Sequence, residues 1–273
     1  IDTAAKTHEC GALEEMIKKH QYPENSIIIC DRGYEKYNLM ACCIEKNQKF
    51  IIRVKDIHSN GILSTMHLDD AAFDMNITKR VTYLQTNETK DNELYKLLVD
   101  GSAPFDYLSS DQDWYEMNVR AVRFKITEDT YECLLTNLTE DEMSFDEFKE
   151  IYHLRWGIET SFRDLKYTVG LLYFHSSDQK LIRQEIYASL TLFNFSRIIV
   201  NNSTPVQKAE WKWHYKVNFK TAVTNIRLYL DGKINEAELE KRIKKFLTPI
   251  RPGRKSSRNV KPQSCKTSSY YAA

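Results

Sequence analysis

The sequence predicts an α/β fold in which a sheet with helices on its faces is followed by a mostly β insertion and a helical, basic C-terminal region. Three observations carry this expectation. Residues 1–55 alternate short apolar strands with amphipathic helices in the order β-α-β-α-β. From about Asp56 to Met143 the long amphipathic helices disappear and strand-like runs take their place. At Ser144 the 3.6-residue periodicity returns. With 273 residues, 42% hydrophobic and 28% charged, the chain has globular composition and enough length for one large core or a core with an inserted module.

The elements follow in order. Ile1–Ala5 reads as the end of a strand, and Glu9–His20 has helical spacing in Leu13, Met16 and Ile17. Ser26–Cys30 is an apolar strand that halts at Asp31-Arg32-Gly33-Tyr34, and a helix over about Lys36–Lys46 precedes the strand Phe50–Val54. In the region 56–143, Thr82–Gln85, Tyr115–Ile126 and Tyr131–Leu135 read as strands. The apolar phase of Tyr115–Ile126 slips by one residue between Ala121 and Val122, which predicts a β-bulge. Ser-Phe-Asp-Glu at 144–147 has the composition of a helix N-terminus, and one long helix is expected from there to about Val169. A second helix covers Leu181–Val200, and further helices are expected near Thr221–Leu230 and Glu236–Leu247. Between them, Trp211–Phe219 is aromatic and basic, with lysines spaced to form a ridge if helical. The tail, Pro249–Ala273, carries six cations and no acid. The resulting segments are 1–55, 56–143, 144–200 and 201–273.

A net charge of +1 conceals an asymmetry. Residues 1–148 hold 16 Lys and Arg against 28 Asp and Glu, whereas residues 149–273 hold 23 against 10. A positive half beside an acidic one suits a protein that lays one face on a polyanion, so nucleic acid is the expected partner. Within the β-rich insertion 56–143, Arg120, Arg123 and Lys125 are the cations expected to face a phosphate. The six cysteines form no C-x-x-C pair and sit beside aliphatic residues, which fits small core hydrophobes in a reducing compartment without zinc. No apolar run approaches the roughly 20 residues of a membrane span, so a soluble protein is expected. Ile1 in place of Met, with no signal peptide, reads as the start of a piece of a longer chain.

The candidate chemistry lies in two places. On a helix, Tyr152, Arg155, Glu159 and Lys166 fall within a sector about 60° wide, presenting a carboxylate, two cations and a phenol together. Ile151, Leu154, Ile158, Phe162, Leu165 and Val169 occupy another sector for burial. Glu159 could equally pair with Arg155 and Arg163 at i±4 on a solvated face. Asp31 stands just past an apolar strand, where sheet proteins place ligands, and it could equally be a turn aspartate.

The spacing Tyr152-x2-Arg155-x3-Glu159-x6-Lys166 resembles the Y-R-E-K signature of bacterial insertion-sequence transposases of the DDE class, specifically the insertion-sequence-4-like family. Asp31-Arg32-Gly33-Tyr34 resembles the motif that holds their second catalytic aspartate. The resemblance implies an RNase H-like core that binds two divalent metals, Mg²⁺ or Mn²⁺, and cleaves and joins DNA strands at insertion-sequence ends. Asp31 and Glu159 would be metal ligands, and Tyr152, Arg155 and Lys166 would grip phosphates. The resemblance also implies double-stranded DNA as partner, both transposon end and target, a homodimer in the DNA complex, no membrane, and a cytoplasmic place at the bacterial nucleoid.

In that pattern the first aspartate lies on strand 1. Asp2 precedes Asp31 by one helix and one strand, so it aligns with strand 3. The expectation is therefore a C-terminal portion of a transposase, lacking the first two strands and the first catalytic Asp, and inactive by itself. The rivals are a non-catalytic DNA-binding remnant or regulator made from a truncated frame, and a nuclease of the same fold.

Overall fold

A computed structural model describes residues 9–90, 92–99, 105–128, 130–154 and 156–251. The strand expected at Ile1–Ala5, Asp2, Arg155, Cys265 and the tail beyond Arg251 lie outside the described residues. The chain divides into two compact units, Ile1–Trp156 and Gly157–Ala273.

The first unit is built on a six-stranded mixed sheet whose strands lie in the order β1 (Ile27–Cys30), β2 (Lys49–Val54), β6 (Thr130–Thr136), β5 (Tyr115–Thr127), β3 (Phe73–Thr82) and β4 (Tyr95–Leu97). Helix α1 (Glu9–Lys19) precedes β1 (Ile27–Cys30), and α2 (Tyr37–Glu45) connects β1 to its parallel neighbour β2 (Lys49–Val54), with Ile27 opposite Lys49. After β3 (Phe73–Thr82), a short α3 (Asn87–Lys90) leads into β4 (Tyr95–Leu97), which runs parallel to β3. The long β5 (Tyr115–Thr127) and β6 (Thr130–Thr136) form an antiparallel pair, and β6 joins β2 antiparallel, with Ile51 opposite Thr136. Strands from the segment 56–143 thus extend the same sheet that β1 and β2 begin.

Both faces of this sheet are covered. On one, α1 and α2 contribute Ile17, Leu39, Met40 and Cys43 to a core with Phe50, Ile52, Val119 and Ala121. On the other, α4 (Phe145–Leu154) packs Phe148 and Tyr152 against Ile51, Val122, Phe124 and Leu134. This explains the phase slip in β5. Its register with β6 is continuous from Arg120 to Lys125, with no bulge at Ala121 and Val122, and the irregularity falls between Lys125 and Thr127. Val119 and Ala121 face one core and Val122 and Phe124 the other, so an apolar run on both faces replaces the expected bulge.

Two of the three cations of β5 are also inside, and Lys125 is exposed. Arg120 binds Asp74 and the carbonyls of Thr139 and Met143, its guanidinium 5.1 Å from the Phe148 ring centroid. Arg123 binds the Asp56 carboxylate with two nitrogens and lies 3.7 Å from the Tyr131 ring centroid. Neither is available to a phosphate, because each neutralises an acid and satisfies loop carbonyls beneath the surface. Cys10, Cys30, Cys42, Cys43 and Cys133 are buried free thiols, as expected for small core residues.

The second unit starts in α5 (Trp156–Arg163), continues through a π-helical stretch, Asp164–Val169, and holds the long α6 (Gln179–Asn202). Its core joins Val217, Ala222, Ile226, Leu239 and Ile243, from β7 (His214–Val217), α7 (Phe219–Leu230) and α8 (Glu236–Lys245). β7 pairs antiparallel with β8 (Leu247–Ile250). The lysine ridge expected on a helix across 208–220 does not form, since Lys216 lies in a strand and Lys212 precedes it. The Trp211 and Tyr215 rings pack on each other at 4.7 Å. Among the described residues no helix is long and apolar enough to cross a membrane.

Candidate active site

Asp31 follows the last residue of β1. Its extended backbone turns the chain into the short 3-10 helix Arg32–Tyr34, and its Oδ1 accepts the Gly33 N–H at 2.8 Å. The turn-capping role and the exposed acid at a strand's carboxyl end therefore coexist in one residue.

Glu35 fixes the ground beside it. Its carboxylate accepts the Lys55 N–H at 3.0 Å and the Ile62 N–H at 2.7 Å, clamping the loop after β2 to the end of β1. The loop comes so close at Gly61 that a Cβ there would stand 2.7 Å from both Glu35 Oε1 and Lys55 Cβ. Gly61→Ala should therefore destabilise the fold by about 1–3 kcal/mol, as overpacking does. A shifted midpoint in urea would register this, and an unchanged midpoint would show that the loop moves freely.

The residues of the 152–166 stripe have separate settings. Tyr152 is 3% exposed in the core beneath α4, which corrects the expectation of an exposed phenol on that stripe. A tyrosine ring carries enough apolar area to be drawn into the core from the margin of a polar face. Glu159 is exposed on α5, and Lys166 is exposed on the π-helical stretch. Asp31 and Tyr152 thus belong to the first unit, and Glu159 and Lys166 to the second.

The π stretch is the part of this region that sequence periodicity missed. Its wider turn rotates Lys166 away from where a straight α-helix would place it, and such segments occur often at functional sites. It is pinned within the second unit. Asp164 accepts Arg197 Nη2 at 2.8 Å, Arg197 lies 4.1 Å from the Phe219 ring centroid, and Arg227 Nη2 donates to the Val169 carbonyl at 2.7 Å. Leu165 and Val169 are buried, whereas Ile158 and Phe162 of the expected apolar sector stay exposed. Gly170, at φ 95°, ends the stretch in the left-handed region.

Carboxylate oxygens are the donors that Mg²⁺ and Mn²⁺ take, so the chemistry of Asp31 and Glu159 fits such an ion. Among the described residues, no group of three or more His, Cys, Asp and Glu side chains gathers as a metal cluster.

An acidic sheet unit beside a basic helical region, with an exposed acid at the end of a strand, suits a protein with a polyanionic partner. Residues 1–195 match the family described as Transposase DDE domain, and the chain belongs to that family. The family supports a transposase-type function in DNA transposition, with DNA as the implied partner. No match is found among curated proteins.

Proposed function

We propose that this protein acts in metal-dependent cleavage and transfer of DNA strands at insertion-sequence ends, with an RNase H-like core of the Y-R-E-K type. The observation that carries this reading is the family match, which spans both Asp31 and Glu159. In this reading Asp31 and Glu159 hold the divalent ions. Metal bound there supplies activation of the attacking hydroxyl and stabilisation of the leaving oxygen. Lys166 and Arg155 contact phosphates at the transposon end, and Tyr152 packs with Phe148 in the core of the first unit. Double-stranded DNA, as transposon end and as target, is bound by a homodimer at the bacterial nucleoid.

The test is transposition in cells by the element whose reading frame encodes this chain. Transposition that depends on this frame supports the reading. DNA binding by the purified protein, with no transposition from the intact element, would instead mark a non-catalytic DNA-binding protein.

The charge distribution adds a binding prediction. Replacing Lys212, Lys216 and Lys220 by Glu should weaken duplex binding at least ~10-fold at low salt. The log–log salt slope should become shallower by about 0.9 for each phosphate that the protein no longer neutralises. Fluorescence anisotropy over a salt series reads both quantities, and an unchanged slope would remove this region from the DNA interface.

A further inference from the structure

Seven of the fifteen described cations in the acidic half of the chain pair with a carboxylate. Lys18, Lys49, Arg53, Arg80, Arg120 and Arg123 each reach a carboxylate distant in sequence. Arg32, Lys36 and Lys96 have no carboxylate partner among the described residues, although residues 1–148 offer 28 acids to 16 bases. All three line one cleft of about 320 Å³ together with Lys55. That cleft opens at the carboxyl ends of β1 and β2, and its lining includes Gly33, two residues from Asp31.

One carboxylate, Glu35, stands in this lining against four cations. Both Glu35 oxygens are turned to backbone N–H groups of the loop, and the Lys55 ammonium is held by the Asn60 carbonyl at 2.6 Å, so the loop wall is fixed in place. Beneath the wall, buried Lys79 donates to Thr65 Oγ1 at 3.0 Å, and Thr65 also lines the cleft. Burial is the main cause that lowers the Lys79 pKa, with nearby Glu93 opposing it and Lys96 adding a smaller lowering. Four cations against one carboxylate leave the lining with an excess of positive charge, which a bound anion offsets.

We infer that the cleft lined by Arg32, Lys36, Lys55 and Lys96 is a binding site for the backbone phosphates of a DNA strand, held next to Asp31. The inference rests on the DNA-processing reading given above. It adds a phosphate-binding surface in the acidic half of the chain, separate from the basic residues after 148. Arg32 suits a phosphate by its planar donor fork, while Lys36 and Lys96 act as point charges that tolerate a moving backbone. A strand lying there would be gripped within the unit that carries Asp31, so the cleft serves as a positioning surface.

The test measures acetylation rates of individual lysines in the whole wild-type protein by mass spectrometry, with and without a short random-sequence DNA duplex at low salt. Lys36 and Lys96 should react severalfold more slowly with duplex, while Lys46, Lys90 and Lys125 keep their rates. Equal slowing of all five would reduce the effect to diffuse attraction and overturn the site. Duplex that binds without slowing Lys36 and Lys96 would overturn the site and leave the DNA reading standing. Failure to bind any duplex would remove both. Slowing by inorganic phosphate but not by duplex would make this a small-anion site and refute its assignment to DNA.

The paired variant K36Q/K96Q should bind duplex with a log–log salt slope shallower by about 0.9 for each phosphate left unneutralised, and K46Q/K90Q, with the same change in charge, should not. Matching slopes for the two pairs would also overturn the site.

Discussion

Transposition should fall at least ~10³-fold when Glu159 is replaced by Gln or Asp31 by Asn, since each change removes one anionic ligand from ions whose contribution to the barrier is several kcal/mol. Both substitutions keep shape. The distinction matters most at Asp31, whose Oδ1 also accepts the Gly33 N–H. Asn retains that acceptor, so Asp31→Asn removes the charge while leaving the turn capped, whereas Asp31→Ala removes both and should cost about 0.5–2 kcal/mol of stability. If Asp31 were a turn aspartate and nothing more, Asp31→Asn would transpose normally and only the Ala variant would suffer. Glu159 is exposed on α5, so Glu159→Gln should leave thermal stability within about 0.5 kcal/mol. Duplex binding by both variants should stay near wild type, because neither residue is a phosphate donor. Wild-type transposition in either variant would end the assignment of that residue.

Much of the first unit could be read before any coordinates. Ser-Ile-Ile-Ile-Cys and Phe-Ile-Ile-Arg-Val are apolar runs between clear breaks, so β1, α2 and β2 fall within a residue or two of their expected places. β3 was hidden because Asp74, Asn76, Lys79 and Arg80 interrupt its apolar pattern. The strand forms through pairing with β5 from Phe73 opposite Arg123 to Val81 opposite Tyr115, and Lys79 is buried at 1% exposure. β8 was hidden by Pro249, a residue that argues against a strand except at an edge, and β8 is one of just two strands in its sheet.

The candidate site was legible where a local motif carried it and opaque where distant residues converge. Asp31 could be placed at a strand end from the tetrapeptide that follows the strand, and Glu159 on a helix from its spacing. A helical wheel treats every residue of a face alike, so it could not tell that Tyr152 sinks into the core while Glu159 stays in water. Nor could it show the π stretch, whose residues satisfy α-helical spacing equally well. Arg32, Lys36, Lys55 and Lys96 are scattered over 65 positions of sequence and become neighbours only because β4 and the loop after β2 fold toward the end of β1. The same blindness applied in reverse to Arg120 and Arg123, which look like surface cations until the sheet is seen to be covered on both sides.

The largest expected loss of stability follows from that reversal. Asp56→Ala should destabilise the first unit by about 3–5 kcal/mol, because it strands the Arg123 guanidinium in the interior. The Arg123 side chain is 3% exposed and gives the Asp56 carboxylate two hydrogen bonds, at 2.8 and 3.1 Å, while the same carboxylate accepts the Ile57 N–H at 2.9 Å and the Cys133 thiol at 3.1 Å. The hydrogen bond from Arg123 is the main reason that the Asp56 pKa falls from 3.8 to about 2, against the opposing effect of burial. A carboxyl held below its unfolded value stabilises the fold fully above that value, so this contribution is complete above about pH 5 and is lost as pH falls through 3.8 toward 2. It amounts to about 1–2 kcal/mol once solvent screening of a carboxylate that is 30% exposed is allowed for. Urea unfolding of wild type and Asp56→Asn between pH 7 and pH 2 measures it directly: the gap between the two should be widest at neutral pH and should narrow through that acid window. Replacing both partners, as in Asp56→Leu with Arg123→Met, should recover most of the loss, since no charge is then left buried without its counterion. A gap that stays constant from pH 7 to pH 2 would mean that the pair contributes shape and not charge.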